Sequence, residues 1–149
     1  MTEPKNDLSL TVSRTIEAPV EKVFEAWLDP DMLSRFMTPG DDVTVPSVTV
    51  DAVEGGRFEI IMKTGDKEIP HSGVYETIDR PNRLVFTWES PHSIDGSTVT
   101  LEFASIEGGT EVTLTQVKFS SEDSRDGHEK GWTGILAALE TTVETAGEA

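Results

Sequence analysis

The stretch HEKGWTGILAALE, residues 128–140, reads as part of one long amphipathic helix, yet it carries two glycines and a tryptophan where alanine and leucine would serve. Glycine in a helix interior costs about 1 kcal/mol against alanine, so something other than helix stability selects Gly131 and Gly134. Working outward, Ser120 and Ser121 followed by Glu122 and Asp123 supply an N-cap and an acidic first turn, and the pattern runs on to about Ala146. His128, Trp132, Ile135, Leu136, Leu139 and Val143 fall on one helical face, which must cover something apolar. Beside that face Gly127, Gly131, Gly134 and Ala138 form a ridge of small residues, a place where a neighbouring backbone, or a second copy of the chain, can come close.

What the helix covers is a sheet. From Val43 to about Phe119 apolar residues recur with a period of two, and Gly, Pro and Asp clusters punctuate them. Six strands are expected, at 43–53, 56–64, 68–79, 83–90, 97–107 and 110–119. The connections EGG, TGDK, DRPN, SPHSIDG and EGG are short enough for hairpins, so the strands form an antiparallel meander. Ahead of it LSLTVSRTIEA alternates as a further strand, with Pro19 at the start of a helix. In that helix Val20, Val23, Phe24 and Trp27 share a face, and it stops near Asp29 because Pro30 biases its predecessor away from helical angles. Asp29 then caps a second short helix, PDMLSRFM, with Leu33, Phe36 and Met37 turned inward. The fold class is therefore α+β: a curved antiparallel sheet of about seven strands, two short helices after the first strand, and a long C-terminal helix packed across the sheet. One domain over residues 1–149 is expected, with residues 1–6 and the acidic end after Val143 frayed.

A twisted sheet of this size curls, and a curled sheet gripping one helix leaves a hollow between them. Alternation names the inward residues: Phe58, Ile60 and Met62; Leu84, Phe86 and Trp88; Val99, Leu101 and Phe103; Val112, Leu114 and Gln116. Trp27, Trp88 and Trp132 each bring an indole N–H that a partly polar cavity suits. Polar candidates are few. His128 lies one turn before Trp132, Tyr75 sits mid-strand with its hydroxyl able to face the hollow, and His71 and His92 fall in or beside turns. The histidines show no metal-ligand spacing, and no metal site is expected. Glu59, Glu76, Glu89 and Glu102 belong to the solvated face. No GxSxG, P-loop, GxGxxG or kinase motif appears, EGGRF and EGGTE open no helix, and neither a cofactor nor a catalytic residue is assigned.

The net charge of −16, from 28 acidic and 12 basic side chains, opposes nucleic acid and anionic membrane surfaces. Zero cysteines fit a reducing compartment, and neither a signal-type h-region nor a membrane-length apolar run is present, so a soluble cytoplasmic protein is expected.

In order along the chain, RTIEAPVEKVFEAWLDPDMLSRFM, DAVEGGRFEI, SGVYETIDRPNRLVFTWE, GGTEVTLTQVKF and HEKGWTGILAALE resemble the AHSA1-like family, homologues of the activator of Hsp90 ATPase. That family lies within the SRPBCC, START or Bet v 1-like helix-grip superfamily, and the likeness is to its bacterial members. The resemblance implies a ligand-sized hydrophobic cavity without implying one activity. Relatives often carry a tryptophan pair followed by Gly-Pro after the second helix. Here Ser34–Gly40 reads SRFMTPG, which places Phe36 and Met37 at the expected cavity mouth. The expected lining is Trp27, Phe36, Met37, Phe58, Ile60, Met62, Tyr75, Phe86, Trp88, Leu101, Phe103, His128, Trp132, Ile135 and Leu136. The expected function is binding of a small hydrophobic or aromatic molecule by a monomer or homodimer. Two alternatives stand beside it: a cyclase- or hydrolase-like enzyme using Tyr75 or His128, and an Hsp90-activating interaction module, which the expected single domain disfavours.

Overall fold

The computed structural model describes residues 8–38, 42–91, 94, 96–119 and 121–147. Its elements run β1 (Ser9–Ile16), α1 (Val20–Ala26), α2 (Pro30–Phe36), β2 (Val43–Val50), β3 (Arg57–Thr64), β4 (Lys67–Asp79), β5 (Arg83–Thr87), β6 (Thr98–Ile106), β7 (Gly109–Val117) and α3 (Glu122–Gly147). All seven strands form one antiparallel sheet in the order β1-β7-β6-β5-β4-β3-β2. The meander from β2 to β7 is continuous, and β1 closes onto β7 with Val12 opposite Leu114.

Local chemistry explains the boundaries. α1 ends at Ala26, earlier than its periodicity suggests, with Trp27 as C-cap. Asp29, extended ahead of Pro30, accepts from the backbone N–H of Asp31 at 2.9 Å and of Met32 at 3.4 Å, capping α2. Ser121 Oγ accepts from Ser124 N at 3.1 Å at the start of α3; Ser120, the other expected cap, lies outside the described residues, as do His92 and the expected fray at residues 1–6. α3 continues to Gly147, past Val143. β2 stops at Val50 because the chain turns through Asp51–Gly56, where a Cβ on Gly56 would stand 2.2 Å from the Asp51 carbonyl oxygen. At the sheet edge β2 carries Pro46 inside a register shift, a feature that discourages further strand pairing.

α3 lies along β1 and against α1 and α2; of the expected face Trp132, Ile135, Leu136, Leu139 and Val143 are buried, and His128 is half-buried. Phe24 meets Phe103 edge-on at 5.0 Å between ring centroids, and Trp27 meets Phe36 likewise at 4.9 Å. Such pairs contribute about 0.5–1.5 kcal/mol each beyond area burial. Buried Thr110 donates from Oγ1 to the Ala18 carbonyl at 2.8 Å, tying the β1–α1 turn to β7. Arg14 on β1 pairs with Glu140 on α3 at 2.6 Å, though the partly exposed pair adds little net stability. Glu59, Glu76, Glu89 and Glu102 are exposed as expected; Arg57 bonds Glu89 and holds its carboxyl below the usual carboxylate range.

Candidate functional site

Between the sheet and the first half of α3 is an open-mouthed hollow of about 770 Å³. Met62 on β3, His71 on β4 and Trp88 just after β5 form its floor, and Ser90, Pro91 and Ile94 its lip. From α3 come Asp123, Ser124, Gly127, His128, Gly131, Trp132 and Ile135. Of the two glycines in the opening stretch, Gly131 borders this hollow and Gly134 does not. Gly127 and Gly131 border the hollow, and a Cβ on Gly127 would meet nothing within 4 Å. At that position the small residue leaves space, and does not admit a neighbouring backbone.

An aromatic wall crosses the hollow. The His71 ring lies 5.2 Å from Trp88, and Trp88 lies 4.8 Å from Trp132, centroid to centroid. Trp132 is fixed by a buried relay: its Nε1–H donates to Gln116 Oε1 at 2.6 Å, and Gln116 Nε2 donates to Ser97 Oγ at 2.9 Å. Ser97 Oγ in turn donates to the Val117 carbonyl at 3.0 Å. Both histidines donate from Nδ1 to backbone carbonyls, His71 to Ile69 at 3.1 Å and His128 to Ser124 at 2.8 Å. A carbonyl only accepts, so Nδ1 carries the proton in each ring.

The hollow takes in only part of the expected lining. Of that set Met62, Trp88, His128, Trp132 and Ile135 border it. Trp27, Met37, Phe58, Ile60, Tyr75 and Phe86 border instead a separate crevice of about 10 Å³, together with Leu33 and Trp88. The space closes because the rings interlock: Phe58 stands 5.3 Å from Tyr75 and 5.2 Å from Phe86, and Gly73 makes room for the Phe58 ring. Phe36, Leu101, Phe103 and Leu136 are core residues bordering neither space, so Phe36 and Met37 do not stand at a mouth. Phe36 is packed against Trp27, and Met37, the C-cap of α2, is buried.

Tyr75 therefore does not share the hollow with His128. Burial, aided by the Asp51 carboxylate, pushes its phenol well above the ordinary value, which removes it as a base at neutral pH. His71, expected in or beside a turn, stands within β4 and on the hollow. Carrying the β4 alternation back from Tyr75 through Gly73 would have found it. Trp27 Nε1 and Trp88 Nε1 are buried without a hydrogen-bond partner among the described residues. Among the described residues no group of three or more His, Asp or Glu is placed to hold a metal ion. No helix among them is long and apolar enough to cross a membrane.

A curved seven-stranded antiparallel sheet gripping a long C-terminal helix defines a helix-grip protein. The family model for activator of Hsp90 ATPase homolog 1-like protein matches residues 17–144, and the chain belongs to that family. The AHSA1-like protein from Aeromonas hydrophila is similar in structure, with 32% identity, a TM-score of 0.82 and 94% of each chain covered. A protein from Nitrosomonas europaea shares the fold at 21% identity and a TM-score of 0.81, over 96% of this chain and 98% of that one. A Staphylococcus aureus protein of unknown function shares it at 19% identity and a TM-score of 0.81, over 95% and 96%. No curated protein matches the chain.

Proposed function

We propose that this AHSA1-like protein binds a small, uncharged apolar or aromatic molecule in the hollow between the sheet and α3. The observation that carries the reading is the hollow itself: about 770 Å³, walled by His71, Trp88 and Trp132, with Met62 and Ile135 beside them. Small-molecule sites are usually apolar concavities of about 300–1,000 Å³ with a few polar groups. Among the described lining Asp123 is the one carboxylate and no Lys or Arg is present, which disfavours an anionic occupant.

Native mass spectrometry of freshly purified protein, against the same sample denatured, should reveal a co-purifying small molecule released on unfolding. An empty protein that also fails to take up a neutral apolar probe would overturn the reading.

A second reading draws on His71 and His128 bordering the same hollow, since acid–base chemistry needs two positioned groups. It requires a turnover that His71→Ala with His128→Ala abolishes. Clear stimulation of an Hsp90 ATPase by the purified chain would replace both readings.

A further inference from the structure

Of the three tryptophans, Trp132 alone has a partner for its indole N–H among the hydrogen bonds of the described residues. Trp27 and Trp88 are 2% and 3% exposed, and the Nε1 atom of each is buried with no acceptor among the described residues. A buried donor left unpaired costs about 1–3 kcal/mol, and native interiors rarely leave one without a reason. Both indoles border the crevice of about 10 Å³, whose other described lining is hydrocarbon and thioether except for the Tyr75 hydroxyl. Such a space takes about one oxygen-sized group. Among the described residues Trp88 is also the one common to the linings of crevice and hollow.

We propose that hollow and crevice are two parts of one site, and that its occupant is an apolar molecule ending in a neutral oxygen acceptor, such as a ketone, aldehyde, ester or amide carbonyl. The body of the molecule lies in the hollow along the Trp88–Trp132 wall. Its carbonyl oxygen passes the edge of Trp88 into the crevice, where the Trp27 and Trp88 indoles donate to it. A carboxylate is disfavoured: no Lys or Arg is among the described residues of either space, and the desolvation that keeps the Tyr75 phenol protonated there also penalises an anion. This inference rests on the reading that the hollow binds a small apolar molecule, and it adds the chemistry of the inner end.

The test uses two probes of nearly the same shape, 2-acetylnaphthalene and 2-ethylnaphthalene, titrated into ¹⁵N-labelled protein. Three indole N–H resonances report, assigned with Trp27→Phe, Trp88→Phe and Trp132→Phe. Expected is a downfield shift of the Trp27 and Trp88 signals with the ketone only, and a ketone affinity at least about tenfold above the hydrocarbon, the equivalent of about 1.4 kcal/mol. Trp27→Phe, whose residue borders the crevice and not the hollow, should shrink that preference while hydrocarbon binding persists. Equal affinities, with Trp132 shifted and the other two indoles silent, would overturn the inference and leave the hollow as a binding site. An immobilised water on Trp27 and Trp88 that survives ketone binding would overturn it too, by assigning the crevice to water. Failure of either probe to move Trp132 would overturn the underlying reading of the hollow.

Discussion

Replacing Gln116 with leucine isolates the interaction that sets the inner wall of the hollow. The side chains are similar in size and Gln116 is fully buried, so Gln116→Leu removes the acceptor of the Trp132 indole without opening a cavity. Ser97 Oγ still donates to the Val117 carbonyl, so the principal loss is one orphaned indole donor, about 1–3 kcal/mol. At about 2.1 cal/mol/K of unfolding entropy per residue, 149 residues give roughly 0.3 kcal/mol/K, and the melting temperature should fall by about 3–10 °C. Thermal unfolding followed by far-ultraviolet circular dichroism reads that shift. Trp132→Phe in the leucine background removes the orphaned donor, so the double variant should lose less than the two single losses together, by about 1 kcal/mol or more. A Gln116→Leu protein that melts within about 1 °C of the parent, or strictly additive losses, would refute the assignment of Trp132 to this relay.

Gly73→Ala should destabilise by well over about 2 kcal/mol or prevent folding, because its Cβ would stand 2.0 Å from the Thr87 carbonyl oxygen and 2.7 Å from the Phe58 ring; urea unfolding measures it. Thr110→Val should cost about 1–2 kcal/mol by the same measurement, since the Ala18 carbonyl loses its buried donor. Tyr75 is the only tyrosine, and the folded state holds its phenolic proton more tightly than the unfolded chain does. Its contribution to stability is therefore complete below the ordinary phenol value of about 10 and is lost as pH rises above it. Phenolate absorbance at high pH should appear together with loss of ellipticity, and phenolate formed in a still-folded protein would contradict the burial.

Much of the fold was legible in the sequence because alternation, helical spacing and capping are local signals. The six-strand meander, Asp29 at the head of α2 and the buried face of α3 all follow from residues within a few positions of one another. The site was legible only in part. Alternation assigns Phe58, Tyr75 and Phe86 to the inner face, but whether their rings close the gap depends on cross-strand register, which sets Tyr75 opposite Phe86 and Phe58 opposite Gly73. Gly73, which admits the Phe58 ring, gives no sign of that role in the sequence. The Gly127–Gly131 ridge was visible as a pattern, but a pattern of small residues reads alike whether it abuts a backbone or an empty space. The lip residues Ser90, Pro91 and Ile94 leave no periodic trace, because they follow the end of β5.

The central claim is that the hollow under α3 takes an apolar ligand, and Gly127→Trp tests it most directly. Side chains on a helix lean toward its N-terminus, so an indole at 127 would lie over Asp123 and Ser124, which border the hollow, and its Cβ meets no neighbour within 4 Å. Helix propensity improves by a few tenths of a kcal/mol, so the melting temperature should hold or rise slightly. Titration of N-phenyl-1-naphthylamine, followed by its fluorescence, should saturate at one equivalent on the parent and weaken at least about tenfold on the variant, the equivalent of about 1.4 kcal/mol. Equal binding by both folded proteins would contradict the account.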